Sequence, residues 1–253
     1  MRGSKALWCV VALMSIASVA RTEEKEDGFR VDVAADLFSK YVWRGQNIVD
    51  DWVLQPSISA GYKGLTGTIW GNMDLHGDLV DKRDFSEVDY SADYSSTFPG
   101  QDVFGYSVGV IYYDFVNMNV PATSEVYGGL SASVPWSPAI RAYYDFDEIN
   151  GTYVQLSIGH TIEKISEWRS DCHCDLQAGA SIGYGTKGYN AGYFGIDEGA
   201  LNDLTFTAGV PICMGKWTIK PSLGWSMLID EDIRTVTHDS DNLWGGIGAA
   251  YRF

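Results

Sequence analysis

The sequence has few cations and few cysteines, and it has no long apolar run beyond its first twenty residues. It carries 18 lysines and arginines against 33 acidic residues, which gives a formal charge of −15 at pH 7. Nucleic-acid binding needs a basic surface that releases counterions, so this balance excludes nucleic acid as a partner. The later part of the chain has no apolar stretch that could form a transmembrane helix.

The first twenty residues have the pattern of a secretory signal peptide. Arg2 and Lys5 supply a positive start, and residues 6–17 are apolar but too few to span a bilayer. Ser18 and Ala20 are the small residues that a signal peptidase requires, so we expect cleavage after Ala20. The chain is therefore divided into a signal peptide at 1–20, a short segment at 21–28 and a single domain at 29–253.

Glycine, aromatic residues and a period of two are abundant. From Trp52 to Tyr62, apolar residues alternate with small or polar ones, which is typical of a strand with one apolar face. No helical period separates such segments, although 162–171 is compatible with one helical turn. About twelve segments follow this pattern, at 31–43, 52–62, 65–75, 85–95, 103–114, 124–134, 138–146, 151–161, 175–185, 203–212, 217–228 and 242–253. The sequence predicts an all-β, antiparallel, up-and-down barrel.

The apolar face of this barrel is predicted to face lipid. A barrel of about twelve strands is wider than the eight that side chains can fill, so an apolar interior would leave a void. Connections near 63–64, 135 and 213–216 are short, whereas those at 76–84, 186–202 and 229–241 are long. Outer-membrane barrels show this alternation of short periplasmic turns and long extracellular loops, although the connection after 151–161 is longer than the rule predicts. A soluble secreted barrel remains the alternative.

Aromatic residues near the ends of the apolar face are expected to form a girdle at the membrane interfaces. Those residues are Tyr41, Trp43, Trp52, Tyr62, Tyr90, Tyr94, Tyr106, Tyr112, Trp217, Trp225, Tyr251 and Phe253. The last of them also ends the chain. Gly248, Tyr251 and Phe253 resemble the C-terminal signal of Gram-negative outer-membrane proteins, while Gly246 stands where a polar residue is expected. The resemblance implies the barrel-assembly machinery as a partner through Phe253, and outer-membrane lipid as the surroundings.

Several stretches of the chain resemble the TorF family of porins. SKYVWRG at 39–45 matches the SKYxxRG element near the mature N-terminus of those proteins. SEVDYSADY at 86–94 and VGVIYYDF at 108–115 are similar to the family's D-x-x-x-x-Y and G-x-x-Y-Y-D-Y strands, with Phe115 replacing a tyrosine. YYDFDEINGTY at 143–153 resembles its paired strand ends. The resemblance covers most of the mature chain and implies an outer-membrane barrel with channel function.

Charged residues fall on the polar face, which is predicted to line the lumen, the interior of the barrel. A charge that faced lipid at mid-depth would cost several kcal/mol. The candidates are Asp32, Asp36, Lys40, Arg44, Glu87, Asp89, Asp93, Arg141, Asp145, Lys220 and Arg252. Because acids are in excess, we expect a narrow channel for small solutes or ions with a mild cation preference. The alternative is a barrel plugged by interior salt bridges, which acts through its acidic loops as a scaffold or an adhesin.

Two motifs suggest enzymatic or nucleotide chemistry but lack the required context. GYSVG at 105–109 matches G-x-S-x-G, yet it lies inside an alternating strand rather than on a turn between a strand and a helix. GYGTKG at 183–188 matches G-x-G-x-x-G, yet the residues that follow read as a loop rather than a helix. We therefore expect neither catalysis nor a cofactor.

The cysteines that remain after the signal peptide are Cys172, Cys174 and Cys213. Together with His173 they offer thiolates and an imidazole to zinc, but C-x-C is not a usual zinc spacing. Export favours oxidation, and the two connections that hold these residues are expected to be neighbours at the periplasmic end. We therefore predict no metal and a disulfide from Cys213 to Cys172 or Cys174, with one thiol left over.

Overall fold

The computed structural model describes residues 28–253, so the signal peptide and nearly all of the 21–28 segment lie outside the described residues. The strands are β1 (Arg30–Phe38), β2 (Tyr41–Trp43), β3 (Gln46–Val49), β4 (Val53–Tyr62), β5 (Leu65–Asp74), β6 (Phe85–Phe98), β7 (Gln101–Asp114), β8 (Thr123–Ala132), β9 (Ala139–Asp145), β10 (Gly151–Arg169), β11 (Cys172–Gly185), β12 (Ala200–Gly209), β13 (Ile212–Met214), β14 (Trp217–Leu228) and β15 (Asp241–Arg252). The helices are α1 (Lys187–Phe194) and α2 (Glu231–Val236). Neither helix is long and apolar enough to cross a membrane.

The strands form a closed antiparallel barrel. Around the wall the order is β1, β4 to β12, β14 and β15, and β15 pairs with β1 to complete the ring. β13 continues the line of β12 and pairs with β11 and β14, so the wall has 12 strands. Each of these wall strands therefore has a paired neighbour on both sides, as a closed barrel requires. The predicted all-β, up-and-down architecture is confirmed.

The two ends of the barrel differ. The amide of Phe253 donates to the carbonyl of Val31 over 3.0 Å, so both described termini lie at one end, here the terminal end. Turns at this end are short, as at Lys63-Gly64, where both residues have positive φ. The opposite end, here the loop end, carries the longer connections, including both helices and the hairpin of β2 and β3.

The predicted helical turn at 162–171 is wrong. β10 continues to Arg169 and pairs with β11, and the long connection is instead a tight turn. The register shifts between Ile162 and Ser166, where Lys164 has a φ of 51°. This bulge places the exposed side chains of Ile162, Ile165 and Trp168 three residues apart, so the period of two is hidden.

The first predicted strand, 31–43, is two elements. β1 ends at Phe38, and the chain then reverses through the inserted hairpin, which is β2 and β3 (Tyr41–Val49). Its turn, Arg44-Gly45, has positive φ at both residues, which suits a tight hairpin. A Cβ on Gly45 would lie 2.6 Å from the Cβ of Asp203, so the turn sits close against β12 inside the barrel.

Tyr41 and Trp43 therefore do not belong to an outer girdle. They are 2% and 5% exposed, within the inserted hairpin, so their predicted lipid contact is wrong. Their side chains join an apolar core that fills the loop end of the lumen. Its other members are Val49, Val53, Ile111, Tyr113, Phe115, Tyr153, Tyr189, Tyr193, Phe194, Leu228 and Ile233. The core of this barrel is thus at one end rather than in the wall.

Prolines inside strands coincide with interruptions of the ladder. Opposite Pro56, the pairing of β4 with β5 skips from Leu54 to Ser57, and Gln55 Nε2 instead donates to Asn72 Oδ1 over 3.0 Å. Pro221 of β14 faces the break between β12 and β13, which contains Pro211. Because proline lacks an amide hydrogen, these are the places where a barrel wall tolerates it.

Candidate functional site

Arg44 forms the centre of the loop end of the lumen. Its guanidinium donates to both oxygens of Glu125 on β8, from Nη1 to Oε1 over 2.9 Å and from Nη2 to Oε2 over 2.8 Å. The two side chains are 7% and 1% exposed. Two parallel, charge-assisted hydrogen bonds of this kind fix the orientation of both groups.

Aromatic rings enclose the same guanidinium. The Arg44 Cζ lies 4.4 Å from the ring centroid of Trp43, 4.6 Å from that of Tyr143 and 4.3 Å from that of Tyr153. Tyr189 of α1 lies farther away, at 5.6 Å. A desolvated cation gains about 2 kcal/mol from such a face. We call Arg44, Glu125 and these four rings the Arg44 cage.

Further carboxyl groups surround the Arg44 cage. Tyr153 donates to Asp203 over 2.7 Å, and Tyr41 donates to Glu87 over 2.9 Å. Asp89 lies two residues along β6 from Glu87, so the two carboxyl groups share the inward face of that strand. All of these acids are buried. In the described part of this cluster, carboxyl groups outnumber guanidinium groups.

The connection predicted as a loop at 186–202 is folded into the lumen as α1. Asn190 holds it, because its Nδ2 donates to the carbonyl of Glu198 over 2.9 Å and its Oδ1 accepts from Asn202 over 2.8 Å. The start of the helix packs on β10, where a Cβ on Gly188 would lie 2.6 Å from the carbonyl oxygen of Asn150. A helix thus does begin within the GYGTKG motif, at Lys187, and the backbone of Asn150 lies against its second residue, Gly188.

A cavity of about 140 Å³ extends below the Arg44 cage. The inward face of its wall on β10, β11 and β12 carries mostly small side chains, which leave the space open. Those residues are Ser157, Gly159, Gly179, Ser181, Thr205, Thr207 and Gly209, and the larger Gln155, Gln177 and Asp203 also line the cavity. The inner face of β6 to β9 is instead filled, because Tyr127 donates to Asp93 over 2.7 Å and Arg141 stacks on the Tyr127 ring at 5.2 Å. The open part of the lumen therefore runs along one side.

The remaining predicted lumen charges are mostly paired. Arg252 donates to Asp32 over 2.8 Å near the terminal end. Asp36 and Lys220 lie on either side of Gly248, whose missing side chain leaves room for the Asp36 carboxylate. Gly248 thus has a structural role beyond the C-terminal signal pattern.

Two predicted lumen residues, Lys40 and Asp145, lie at the loop end, the first outside the wall and the second as the last residue of β9. Lys40 follows the end of β1 and forms an ion pair with Asp50 at the base of the inserted hairpin. The hydrogen bond from Lys40 lowers the pKa of Asp50 below its ordinary value. Asp145 ends β9, and its carboxylate accepts from Thr123 Oγ1 over 2.7 Å and from the amide of Ile149 over 3.1 Å. It holds the turn after β9.

The other rings of the predicted girdle lie on the outward face, at two levels. Near the terminal end are Tyr62, Tyr94, Tyr106, Trp217, Tyr251 and Phe253, and near the loop end are Trp52, Tyr90, Tyr112 and Trp225. Neighbouring rings touch, as in the pair of Trp217 and Tyr251, whose centroids are 4.8 Å apart.

The predicted disulfide does not form. Cys172, Cys174 and Cys213 are all outside disulfides. Cys213 is paired in register with His173, and Cys172 and Cys174 flank that residue on β11. Since side chains alternate along a strand, the flanking cysteines point to the face opposite Cys213.

Sequence reasoning missed most of the Arg44 cage, although a signal was present. Glu125 lies on the polar face of its strand. Tyr143 lies on the same inward face of β9 as Arg141, and Tyr153 lies on the same inward face of β10 as Gln155. Aromatic rings on a polar phase indicate an inward cluster. The stretches that resemble the TorF family also meet here, because they contribute Arg44, Asp89, Tyr113, Tyr143 and Tyr153.

No protein-family model matches the chain, and no curated protein matches it. Solved structures do. The KdgM porin aligns with a TM-score of 0.51 at 14% identity, over 88% of this chain and 99% of that chain. The NanC porin aligns with a TM-score of 0.52 at 12% identity, over 87% and 98%. An outer-membrane channel from Pseudomonas putida F1 aligns with a TM-score of 0.50 at 10% identity, over 89% and 96%. The fold is a porin-like β-barrel of 12 strands.

Replacing Arg44 in this porin-like barrel is expected to be costly. Arg44→Ala leaves the Glu125 carboxylate buried without its partner and should lower the free energy of unfolding by about 3–5 kcal/mol. Arg44→Lys should recover only part of the loss, since an ammonium cannot make the two parallel bonds. Urea titration in lipid vesicles, followed by tryptophan fluorescence, measures both. The double variant Arg44→Met with Glu125→Gln should lose less unfolding free energy than the sum of the losses in its two single variants, Arg44→Met and Glu125→Gln. Additive losses would contradict an energetic coupling between the two side chains.

The hydrogen bond from Tyr153 to Asp203 depends on a glycine beside it. A Cβ on Gly183 would collide with the Tyr153 hydroxyl and the Asp203 carboxylate, so Gly183→Ala should cost about 1–3 kcal/mol. Gly209→Ala is the matched control, because the nearest atom to its Cβ, the carbonyl oxygen of Pro221, is 3.5 Å away. The same urea titration compares the unfolding free energies of the two variants. Equal losses would contradict a collision at Gly183, because both would then reflect only the strand propensities of glycine and alanine.

Proposed function

We propose that the protein is an outer-membrane channel of the porin type, which passes small polar solutes or ions by diffusion and performs no catalysis. The observation that carries this proposal is the lumen itself. A closed wall surrounds a cavity of about 140 Å³ with small polar sides, and that cavity ends at the Arg44 cage. In this proposal the Arg44 cage is the constriction that limits the size and rate of passage.

The outward surface supports a place in the outer membrane. Apolar side chains such as Ile58, Leu156 and Ile247 are about half exposed along the wall, and the rings form two levels above and below them. Lipid contacts satisfy such a surface, with the rings at the two interfaces. Export by the signal peptide at 1–20 and assembly through Phe253 complete this proposal.

Membership of the TorF family is the finer form of the proposal. Its support is that the resembling stretches, which are far apart in the sequence, meet at the Arg44 cage. Tyr41 and Arg44 come from one stretch, Tyr113 from another and Tyr143 and Tyr153 from a third. A shared constriction is a physical reason for such stretches to occur together.

The charge of the constriction supports a cation preference. Glu125 and Asp203 lie beside Arg44, Glu87 and Asp89 are buried nearby on β6, and the formal charge of the whole chain is −15. Excess carboxylates at a narrow point favour cations over anions.

The second candidate is a non-conducting barrel that acts through its loops. The observation in its favour is that the inserted hairpin and α1 bury the loop end, so that Tyr41, Tyr153 and Tyr189 are at most 2% exposed. The connection at 229–240 is acidic, with Asp230, Glu231, Asp232 and Asp239 against the single cation Arg234, and suits a cationic partner.

Conductance through planar bilayers separates the two candidates. We expect small discrete steps from the wild-type protein and larger steps from Arg44→Ala, because the side chain that fills the constriction is removed. Arg169→Ala, which changes an exposed cation at the terminal end, is the matched control and should behave as wild type. Heat-modified gel mobility verifies that each barrel is folded. If the wild-type and Arg44→Ala barrels are folded but neither conducts, the channel proposal is contradicted and the barrel that acts through its loops is favoured.

Selectivity is tested by the reversal potential in a salt gradient. The wild-type potential should have the sign of a cation-selective pore, and Glu87→Gln should bring it towards zero while preserving the bond from Tyr41. Glu148→Gln, in the exposed turn after β9, should leave it unchanged. A wild-type potential of the opposite sign would overturn the cation preference without affecting the channel.

A further inference from the structure

A second cluster of reactive side chains lies near the terminal end, far from the Arg44 cage. Cys213 of β13 and His173 and Asp175 of β11 each direct a potential ligand atom towards the others, and these atoms lie within 4.8 Å of one another. Each side chain is largely covered. We propose that this cluster is a site for a divalent transition cation, with zinc as the expected ion.

The spacing of His173 and Asp175 suits two ligands of a tetrahedral metal better than a hydrogen bond between them. His173 Nε2 and Asp175 Oδ1 are 3.7 Å apart, too far for a hydrogen bond. Zinc holds nitrogen and oxygen ligands at about 2.0–2.2 Å and sulfur at about 2.3 Å, so tetrahedral ligand atoms are separated by roughly 3.3–3.8 Å. The other ring nitrogen, His173 Nδ1, is buried without a hydrogen-bond partner among the described residues.

The strand register builds the cluster. His173 and Cys213 are direct partners across β11 and β13, so their side chains share a face. Asp175 lies two residues along β11 from His173 and therefore points to the same side. Cys172 and Cys174 point to the other side. The pattern C-x-C is thus misleading in the sequence, because the histidine between the cysteines and the distant Cys213 are the residues that meet.

Two irregularities of the wall hold the acid in place. The amide of Lys164, in the bulge of β10, donates to Asp175 Oδ1 over 2.8 Å. The amide of Asp175 itself donates to the carbonyl of Pro211 over 2.9 Å, at the break between β12 and β13. Metal-bound carboxylates characteristically have such outer hydrogen bonds, which fix their orientation. The bulge and the break therefore meet at the proposed site.

The donor set selects the ion. A thiolate and an imidazole favour zinc over magnesium or calcium, which prefer oxygen ligands. Three protein ligands leave the fourth tetrahedral position for water or a solute. Asp175 lies on the same inward face of β11 as Gln177, which lines the cavity. The fourth coordination position is therefore expected to face the lumen.

Zinc content tests the proposal on the untagged, folded full barrel in detergent under reducing conditions. After loading with zinc and gel filtration, the wild type should retain an equimolar amount of metal. Cys213→Ser and His173→Ala should weaken binding by more than about a hundredfold, since even partners outside the ligand set contribute 10–100-fold. The double variant Cys172→Ser with Cys174→Ser is the matched control and should bind as wild type.

Cobalt replacement identifies the ligand. The wild type and the double control should show a thiolate-to-cobalt charge-transfer band, and Cys213→Ser should lack it while remaining folded by gel mobility. Loss of zinc in the double control, a band that persists in Cys213→Ser, or an intact-mass decrease that shows a disulfide at Cys213 would each overturn the site. Wild-type protein that retains no zinc would do the same. None of these results depends on whether the barrel conducts.

Discussion

The pairing of the Arg44 guanidinium with Glu125 is the interaction on which the loop end of this barrel depends. A buried cation is tolerated only when its charge and its donors are satisfied. Glu125 supplies the opposite charge, and the rings of Trp43, Tyr143 and Tyr153 supply the faces around it. Because those partners come from the inserted hairpin and from three strands of the wall, the pair ties the hairpin to the barrel. The apolar core then packs around it.

Much of the wall could be predicted from the sequence because a strand in a barrel has only two faces. Alternation along segments such as 52–62 therefore carried enough information to predict strands, their number and the inward direction of Asp36 or Asp93. The same logic failed where the chain left the wall. Tyr41 and Trp43 continue the apolar alternation of β1, yet the chain reverses after Phe38. The alternation of residues alone does not indicate that reversal.

Side-chain clusters were harder to predict than strands, since they depend on register between distant segments. Glu125 meets Arg44 across 81 residues, and nothing in either local pattern indicates the pairing. The cysteines show the same limit. The expected disulfide followed from the compartment and from neighbouring connections, but a register that pairs Cys213 with His173 sends the other thiols to the opposite face. A shift of one residue would have reversed the outcome.

The closing contact between β1 and β15 has a consequence for the order of folding. Arg252 and Asp32, which meet at this seam, are 220 residues apart, so the ring cannot close before the last strand is in place. The inserted hairpin directly follows β1, but its partners lie on β8, β9, β10 and α1. It belongs to the first part of the chain and can be seated only after a wall has formed around it. Loop-closure entropy makes such distant contacts slow to form, so docking of the hairpin is a late event in folding.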